Sequence, residues 1–332
     1  MKILTTYDAI NPTEWGRLLS ESPVANWFQT PAAYTFIASQ PELFTPFLIA
    51  VEETRLQCLC MGYVTREHNP LKQFFTRRAI IIGGPLIAPT ATNEHVFTMM
   101  QEVRDRLKHK AIYIETRNFN DYANFREGFA AASFIYQPHL NFHVDTSSAE
   151  LIEQNLDENR RRNLRASFRN GATVISQPTH EQLVDFYRIL QKLYTTRVKT
   201  PLFPLSFFEQ LYNHPDGSFL LVSLNDRIIG GIAAVQFSDQ CIYEWFVAGE
   251  DGLYKHVYPS SVATYAGLKY AAENHIPRFD MMGAGTPDTD YGVRDFKARF
   301  GGQQVEHGRY LFVAHPILYR LGKLAVKMLK HR

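Results

Sequence analysis

Cysteine is scarce in this 332-residue chain, where Cys58, Cys60 and Cys241 are all there is. Three thiols build no disulfide framework. A Cys-x-Cys pair on a strand points both side chains to one face without the further ligands a zinc site needs. A reducing compartment follows, and no metal is expected. Charge of one sign is lacking too: 35 Lys and Arg stand against 33 Asp and Glu, a net of +2. No global field therefore marks a nucleic-acid binder, and any basic effect is local. No apolar run reaches the ~18 residues of a membrane span. Met1 to Ile10 also lacks a charged start followed by a long apolar stretch, so the protein is expected in the cytoplasm. There is no His-Glu-x-x-His, no Cys-x-x-Cys, no Gly-x-Ser-x-Gly and no Walker-type loop. Zinc hydrolysis, serine hydrolysis and P-loop chemistry are left without support. The 12 histidines are scattered, and each alone reads as a surface or core residue.

What the chain does have is length for two domains and a plan that occurs twice. FTPFLIAVEETRLQCLCMGYVT, from Phe44, reads as strand, charged turn, strand. GSFLLVSLNDRIIGGIAAVQFS, from Gly217, reads the same way, with Asn225-Asp226 at the hairpin turn. Each is followed by more strand (Ala79 to Ile87; Cys241 to Gly249). A helix comes next in both halves, about Asn93 to Lys108 and about Pro259 to Glu273. Each helix leads into a strand carrying an acid, Glu115 in one half and Asp280 in the other. Such repetition predicts two tandem α/β (α+β) domains with mixed sheets flanked by helices. The boundary is expected near Asp145 to Glu150, giving domains 1–146 and 147–332, with Ser147 or Ser148 capping the first helix of the second. ENRRRNLRASFRNGATV then predicts a basic helix stopping near Asn170-Gly171. A second helix, roughly Glu181 to Thr195, carries Leu183, Phe186, Tyr187, Leu190 and Tyr194 on one face.

The stretch with most chemistry is RFDMMGAGTPDTDYGVRDFKARFGG, Arg278 to Gly302. A short strand meets a Gly283-Ala-Gly285 turn and a polar loop, and Phe296-Lys297 precedes Phe300-Gly301 by four residues. Between two phenylalanines, the Lys297 ammonium would leave a partly apolar wall, where a cation acts strongly on a developing anion. This segment closely resembles the closing signature of the Fem-type aminoacyltransferases, the peptidoglycan bridge-forming enzymes and their relatives among two-domain GNAT-like acyltransferases. NRRRNLRASFRNGATV, LYTTRVKTPLF and IYEWFVAGEDGLYKHVYPSSVATYAGLKYAAE resemble further parts of that family's second domain. WFQTPAAYTFIASQ resembles an early Gln-containing helix of its first domain.

The resemblance implies a tandem GNAT-like fold and acyl or aminoacyl transfer to an amine of a cell-envelope precursor or glycan. It places Lys297 facing the reacting carbonyl, Phe296 shaping the site and Arg197 on a substrate phosphate. Tyr194, Lys255, Tyr291 and Arg294, in the same segments, are the further substrate-binding candidates. No bound cofactor is implied; the donor would be a co-substrate, aminoacyl-tRNA or an acyl-CoA or acyl carrier protein. The acceptor would be a small-molecule or lipid-linked envelope precursor. Where some members carry a phosphate-binding lysine after the early Gln, this chain has Tyr34, Thr35 and Phe36, which argues against a lipid-linked or nucleotide-linked muropeptide. The loop from Gly249 through Gly252 and Lys255 to Tyr258-Pro259 lacks the Gly-x-Gly run of orthodox acetyl-CoA binding.

For a general base, Asp280 ends a strand at the site and Glu244 lies on the neighbouring strand. Capping the Gly turn is the structural alternative for Asp280, and an ion pair with a nearby Lys or Arg is that for Glu244. A catalytically inert GNAT-like binding protein is the rival to an enzyme. Arg161, Arg165 and Arg169 form one helical stripe, read either as a solvated face or as a site for a polyanion such as tRNA. The tail from His315 to Arg332 has no acid. Its Ile317, Leu318, Leu321, Leu324, Ala325 and Met328 oppose Arg320, Lys323, Lys327 and Lys330. That pattern fits packing on the body or contact with a membrane surface, peripheral at the inner face.

Overall fold

The structure, a computed structural model, describes residues 1–67 and 69–330; His68, His331 and Arg332 and the side chains of Pro70, Leu71, Lys72, Val326, Lys327, Leu329 and Lys330 lie outside the described residues. Two compact units form, residues 1–139 with 306–332 and residues 140–305. The first unit begins with β1 (Lys2–Leu4), α1 (Pro12–Glu21), α2 (Pro31–Ala38) and the hairpin β2 (Phe44–Glu52) and β3 (Leu56–Thr65). It continues through α3 (Pro70–Thr76), β4 (Ala79–Gly83), β5 (Leu86–Ile87), α4 (Asn93–Leu107), β6 (Tyr113–Asn118), α5 (Arg126–Ala131) and β7 (Ile135–Gln137). The second unit runs β8 (Leu140–Asp145), α6 (Ala149–Asn155), α7 (Glu158–Arg169), β9 (Thr173–Ile175), α8 (His180–Leu193), α9 (Leu205–Tyr212) and β10 (Gly217–Leu224). It ends with β11 (Arg227–Phe237), β12 (Cys241–Gly249), α10 (Pro259–Glu273), β13 (Arg278–Gly283), α11 (Gly292–Ala298) and β14 (Gln303–Glu306). The chain then returns to the first unit as β15 (Arg309–Val313) and α12 (Pro316–Lys330).

The two sheets repeat one order. In the first it is β1-β2-β3-β4-β6-β15-β7, with β5 also on β3; in the second it is β9-β10-β11-β12-β13-β8-β14. Each has antiparallel neighbours up to its fourth strand, then one parallel neighbour, β6 on β4 and β13 on β12, reached through a helix. An antiparallel strand follows, and there the halves exchange: β8 lies beside β13, and β15 lies beside β6. The expected boundary at 146/147 therefore moves to 139/140, and the tail belongs to the first unit. The reason is burial. Leu140, Phe142 and Val144 of β8 enter the core of the second unit, and Tyr310 of β15 enters the core of the first.

Local signals act as their chemistry dictates. Asn225 and Asp226 both take positive φ, +49° and +62°, which a two-residue hairpin turn requires. Ser148 caps α6, its Oγ accepting from Leu151 N at 3.1 Å. Asp157 caps α7 through Asn159 N and Arg160 N. Thr179 and Gln182 form a reciprocal capping box at the start of α8. Pro259 opens α10, and small residues along it (Ala263, Ala266, Gly267 and Ala271) let it lie close against the sheet. A Cβ at Gly267 would stand 2.6 Å from Ile232 Cδ1 and 2.8 Å from a Phe279 ring carbon. Gly267→Ala is thus expected to lower stability by about 1–3 kcal/mol through overpacking, read as a drop in Tm.

Candidate active site

β12 and β13 pair at Cys241–Arg278, Ile242–Phe279 and Tyr243–Asp280, and there the parallel pairing stops. Beyond it β12 stays with β11 but carries an extra residue, since Ala234 faces Glu244 and Ala233 faces Phe246, leaving Trp245 bulged. β13 stays with β8 through an irregularity between Asp280 and Gly283, where Met282 takes φ +58°. That value is rare for a side chain of this size. The two parallel strands thus part at their carboxyl ends, where open α/β sheets receive ligands.

Lys297 reaches into this parting from α11. Its Nζ donates to the carbonyl oxygens of Met281, of Met282 at 3.2 Å and of Gly283 at 2.9 Å. An ammonium has three donors, so all are engaged by one strand end. Burial pushes the Lys297 pKa down, while Glu244 and then Asp280 pull it back up. Glu244 is the first residue past the last parallel pair and is buried. Neither of its oxygens has a hydrogen-bond partner among the described residues. Burial pushes its carboxyl up to about 7, against the opposing pull of Lys297 and the Thr264 hydroxyl, which is close but outside bonding geometry.

Asp280 is fully buried and engaged. Its Oδ1 accepts from Asn141 Nδ2 at 2.8 Å and from Met282 N at 2.7 Å, and its Oδ2 lies 3.1 Å from His143 Nε2. It therefore holds the bend at Met282, the capping alternative drawn from the sequence.

Behind Lys297 lies a residue that the sequence reading left in a charged run. Arg160 is buried, with its guanidinium carbon 4.4 Å from the ring centroids of both Phe296 and Phe300. It donates to Ser261 Oγ on α10 and to Phe296 O at 3.0 Å, so it ties α7, α10 and α11 together. Burial, then the nearby Arg299, brings its pKa down to about 10, against Asp251 and Asp157. It thus stays charged at neutral pH. The signal was available in principle: Arg160 lies four positions before the apolar Leu164, on the inward side of α7 rather than on the Arg161, Arg165 and Arg169 stripe.

The other candidates fall into two groups. Arg294 spends its guanidinium on the carbonyls of Ala284 at 3.2 Å, Pro287 at 3.3 Å and Thr286, and so braces the loop after β13. Tyr291 is exposed at the start of α11, beside Gly285, whose φ is +80°. Tyr194 is half-buried, with its ring 6.5 Å from that of Phe246. Burial and the neighbouring Tyr291 push its hydroxyl pKa up. Tyr194 opens a single π-helical turn, Tyr194–Val198, that extends α8; such turns are frequent at functional sites. Arg197 in that turn is exposed, and among the described residues it pairs with no carboxylate. Lys255 is exposed on the loop before α10. The structure thus brings Lys297, Glu244, Asp280 and Phe296 together and leaves Arg197 and Lys255 on the surface.

The matching place in the first unit is closed. β4 and β6 pair as far as Gly83–Asn118, the last residues of both strands. Amide and phenol groups fill the end: Asn26 Nδ2 donates to Gly83 O at 3.2 Å, Gln29 Nε2 to Gly84 O at 3.0 Å, and Tyr122 Oη to Pro85 O at 2.7 Å. Gln29, singled out in the early segment, is thus a structural amide. Glu115, the counterpart of the acid on β13, is ion-paired to Arg117 at 2.9 Å and Arg309 at 3.0 Å. Burial works against its ionisation, but the two guanidinium groups hold it at about 2.

Residues 158–297 match the acetyltransferase (GNAT) domain family. That match lies within the second unit. Among curated proteins no sequence relative matches. In fold the chain is similar to FemX, at 14% identity over 97% of this chain and 99% of that one, with a TM-score of 0.69. It is similar to a tandem GNAT protein from the clavulanic acid biosynthesis pathway, at 10% identity over 94% of this chain and 99% of that one, with a TM-score of 0.61. L-PGS from Bacillus licheniformis has the same fold, at 13% identity over 95% of this chain and 96% of that one, with a TM-score of 0.54. The chain has the two-domain GNAT-like fold, and the parallel strand pair of its second unit parts where that of the first is closed.

Proposed function

We propose that this two-domain GNAT-like protein transfers an acyl or aminoacyl group to an amine of a cell-envelope precursor or glycan. The observation that carries the reading is Glu244, a buried carboxylate without a hydrogen-bond partner, poised near neutrality where β12 and β13 part. The amine nitrogen attacks an ester or thioester carbonyl, forming the C–N bond and a tetrahedral oxyanion. Glu244 takes the amine proton. Collapse of the oxyanion breaks the C–O or C–S bond, and the leaving oxygen or sulfur departs with the proton that Glu244 took from the amine. Lys297 acts on the oxyanion as a fixed charge in a dry site rather than as a direct donor, because its three N–H groups are engaged. Phe296 walls the site and Asp280 sets the strand end.

The resemblance of the closing segment to that of Fem-type aminoacyltransferases favours aminoacyl-tRNA as donor. Similarity in fold to a tandem GNAT protein known in a form without AcCoA favours an acyl-CoA, with an acyl carrier protein as its equivalent. The purified chain should be given charged tRNA, or acyl-CoA, with amino sugars and envelope precursors as acceptors, and the products weighed by mass spectrometry. An amide product with one donor class selects between the two. No product with either donor would leave the inert binding protein.

Arg197, Tyr194 and Tyr291 are the acceptor-side candidates. An exposed guanidinium without a carboxylate is free to grip two phosphate oxygens, which a lysine does only as a point charge. Arg197→Lys is expected to raise KM for a phosphorylated substrate about tenfold while kcat holds. An unchanged KM removes Arg197 from the site.

A further inference from the structure

The C-terminal helix α12 is docked with its apolar stripe facing out. Ala314 N and His315 N both donate to Ile112 O, at 2.9 and 3.0 Å, which fixes the helix start. Among the described residues its packed side carries the half-buried Leu318, Tyr319 and Gly322, with the Tyr319 ring edge-on to Tyr113 at 5.3 Å. Ile317, Leu321, Leu324 and Met328, spaced four, three and four apart, form one stripe on the other side. Each of the four is more than half exposed. Of the stripe read from the sequence, Leu318 packs on the body, while Ile317, Leu321, Leu324 and Met328 stay exposed. α12 meets α3 of the same unit, where Phe74 and Phe75 are also nearly half exposed.

The chemistry around these side chains is of one sign. Neither Asn69 to Arg78 nor His315 to Arg332 contains an Asp or Glu. Arg320 and Lys323 border the α12 stripe, and Arg77 lies over the Phe74 ring at 5.3 Å. No described helix is long and apolar enough to cross a membrane. An exposed apolar stripe and paired aromatic rings inside a basic border match an element lying in the plane of an anionic lipid surface. A second copy of the chain would bring the same positive charge against itself, and an apolar protein groove would leave the border without a counter-charge.

We propose that α12 and α3 form a docking surface for anionic lipid headgroups, which brings the first unit onto a membrane. This proposal does not rest on the acyl-transfer reading. The test is co-sedimentation of the full chain with vesicles of phosphatidylcholine, with and without phosphatidylglycerol. Binding is expected only when phosphatidylglycerol is present, and it should weaken as salt is raised. Leu321→Glu with Leu324→Glu should abolish it. Each basic side chain near an anionic surface contributes about fivefold, so Arg320→Gln with Lys323→Gln should weaken binding by about twenty-fivefold. All four positions are exposed, so melting of either variant should match wild type. Failure of the wild type to sediment with phosphatidylglycerol vesicles would overturn the proposal. So would undiminished binding by the double Glu variant, or a wild-type dimer that this variant converts to a monomer.

Discussion

Glu244→Gln should lower acyl transfer by about 10²–10⁴, the range for losing a positioned general base, while making the protein more stable above neutral pH. Both effects have one cause. The carboxyl is buried and its pKa stands at about 7 against an ordinary value of 4.5. Below both values the group is protonated folded and unfolded, and it contributes no pH dependence. Between them the unfolded chain has lost its proton and the folded chain keeps it, so wild-type stability falls as pH rises. Above about 7 the full cost of the buried charge is present, on the order of 3 kcal/mol. Glutamine is nearly isosteric and does not titrate, so its stability should stay flat across that window. The gain is reduced by the attraction to Lys297 that the variant loses. Urea unfolding at pH 5 and pH 8, with rates at both, checks the pair of effects. An active variant, or one whose stability falls with pH as steeply as wild type, would remove Glu244 from the chemistry.

The same residue marks the limit of what the sequence could tell. Each sheet's plan was legible because hairpin turns, helix caps and alternating strands are local, and the repeat put them at matching places. Asn225-Asp226, Ser148 and Pro259 all act where their chemistry put them. The exchange of β8 and β15 was not legible. Leu140, Phe142 and Val144 alternate as a half-buried strand must, but alternation does not say which sheet the strand joins. The closing segment did name residues that the fold gathers, since Lys297, Phe296 and Asp280 come together with Glu244 at the parting of β12 and β13. What it could not give was the direction of the Lys297 donors, which depends on the bend at Met282 bringing three successive carbonyls around one ammonium. Arg160 was missed for a related reason. Five arginines between 160 and 169 read as a solvated face, and only the Phe296 and Phe300 rings, over a hundred residues away in the chain, turn one of them inward.

Lys297→Met is the sharper test of that geometry. Methionine fills similar space but leaves the carbonyls of Met281, Met282 and Gly283 without their donor and Glu244 without the cation that offsets its burial. Leaving a buried acceptor without its donor costs about 1–3 kcal/mol, so Tm should fall markedly. Acyl transfer at neutral pH should fall by about 10²–10³. The decisive reading is the pH profile. Lys297 opposes the effect of burial on Glu244, so without it the carboxyl pKa must rise, and the inflection near 7 should move upward with part of the rate recovered at higher pH. Lys297→Arg should not restore stability, because a planar fork cannot meet three carbonyls that converge on one point. A lysine that merely donates to the oxyanion would behave differently. Its loss would leave Tm and the inflection where they are and lower the rate at every pH alike.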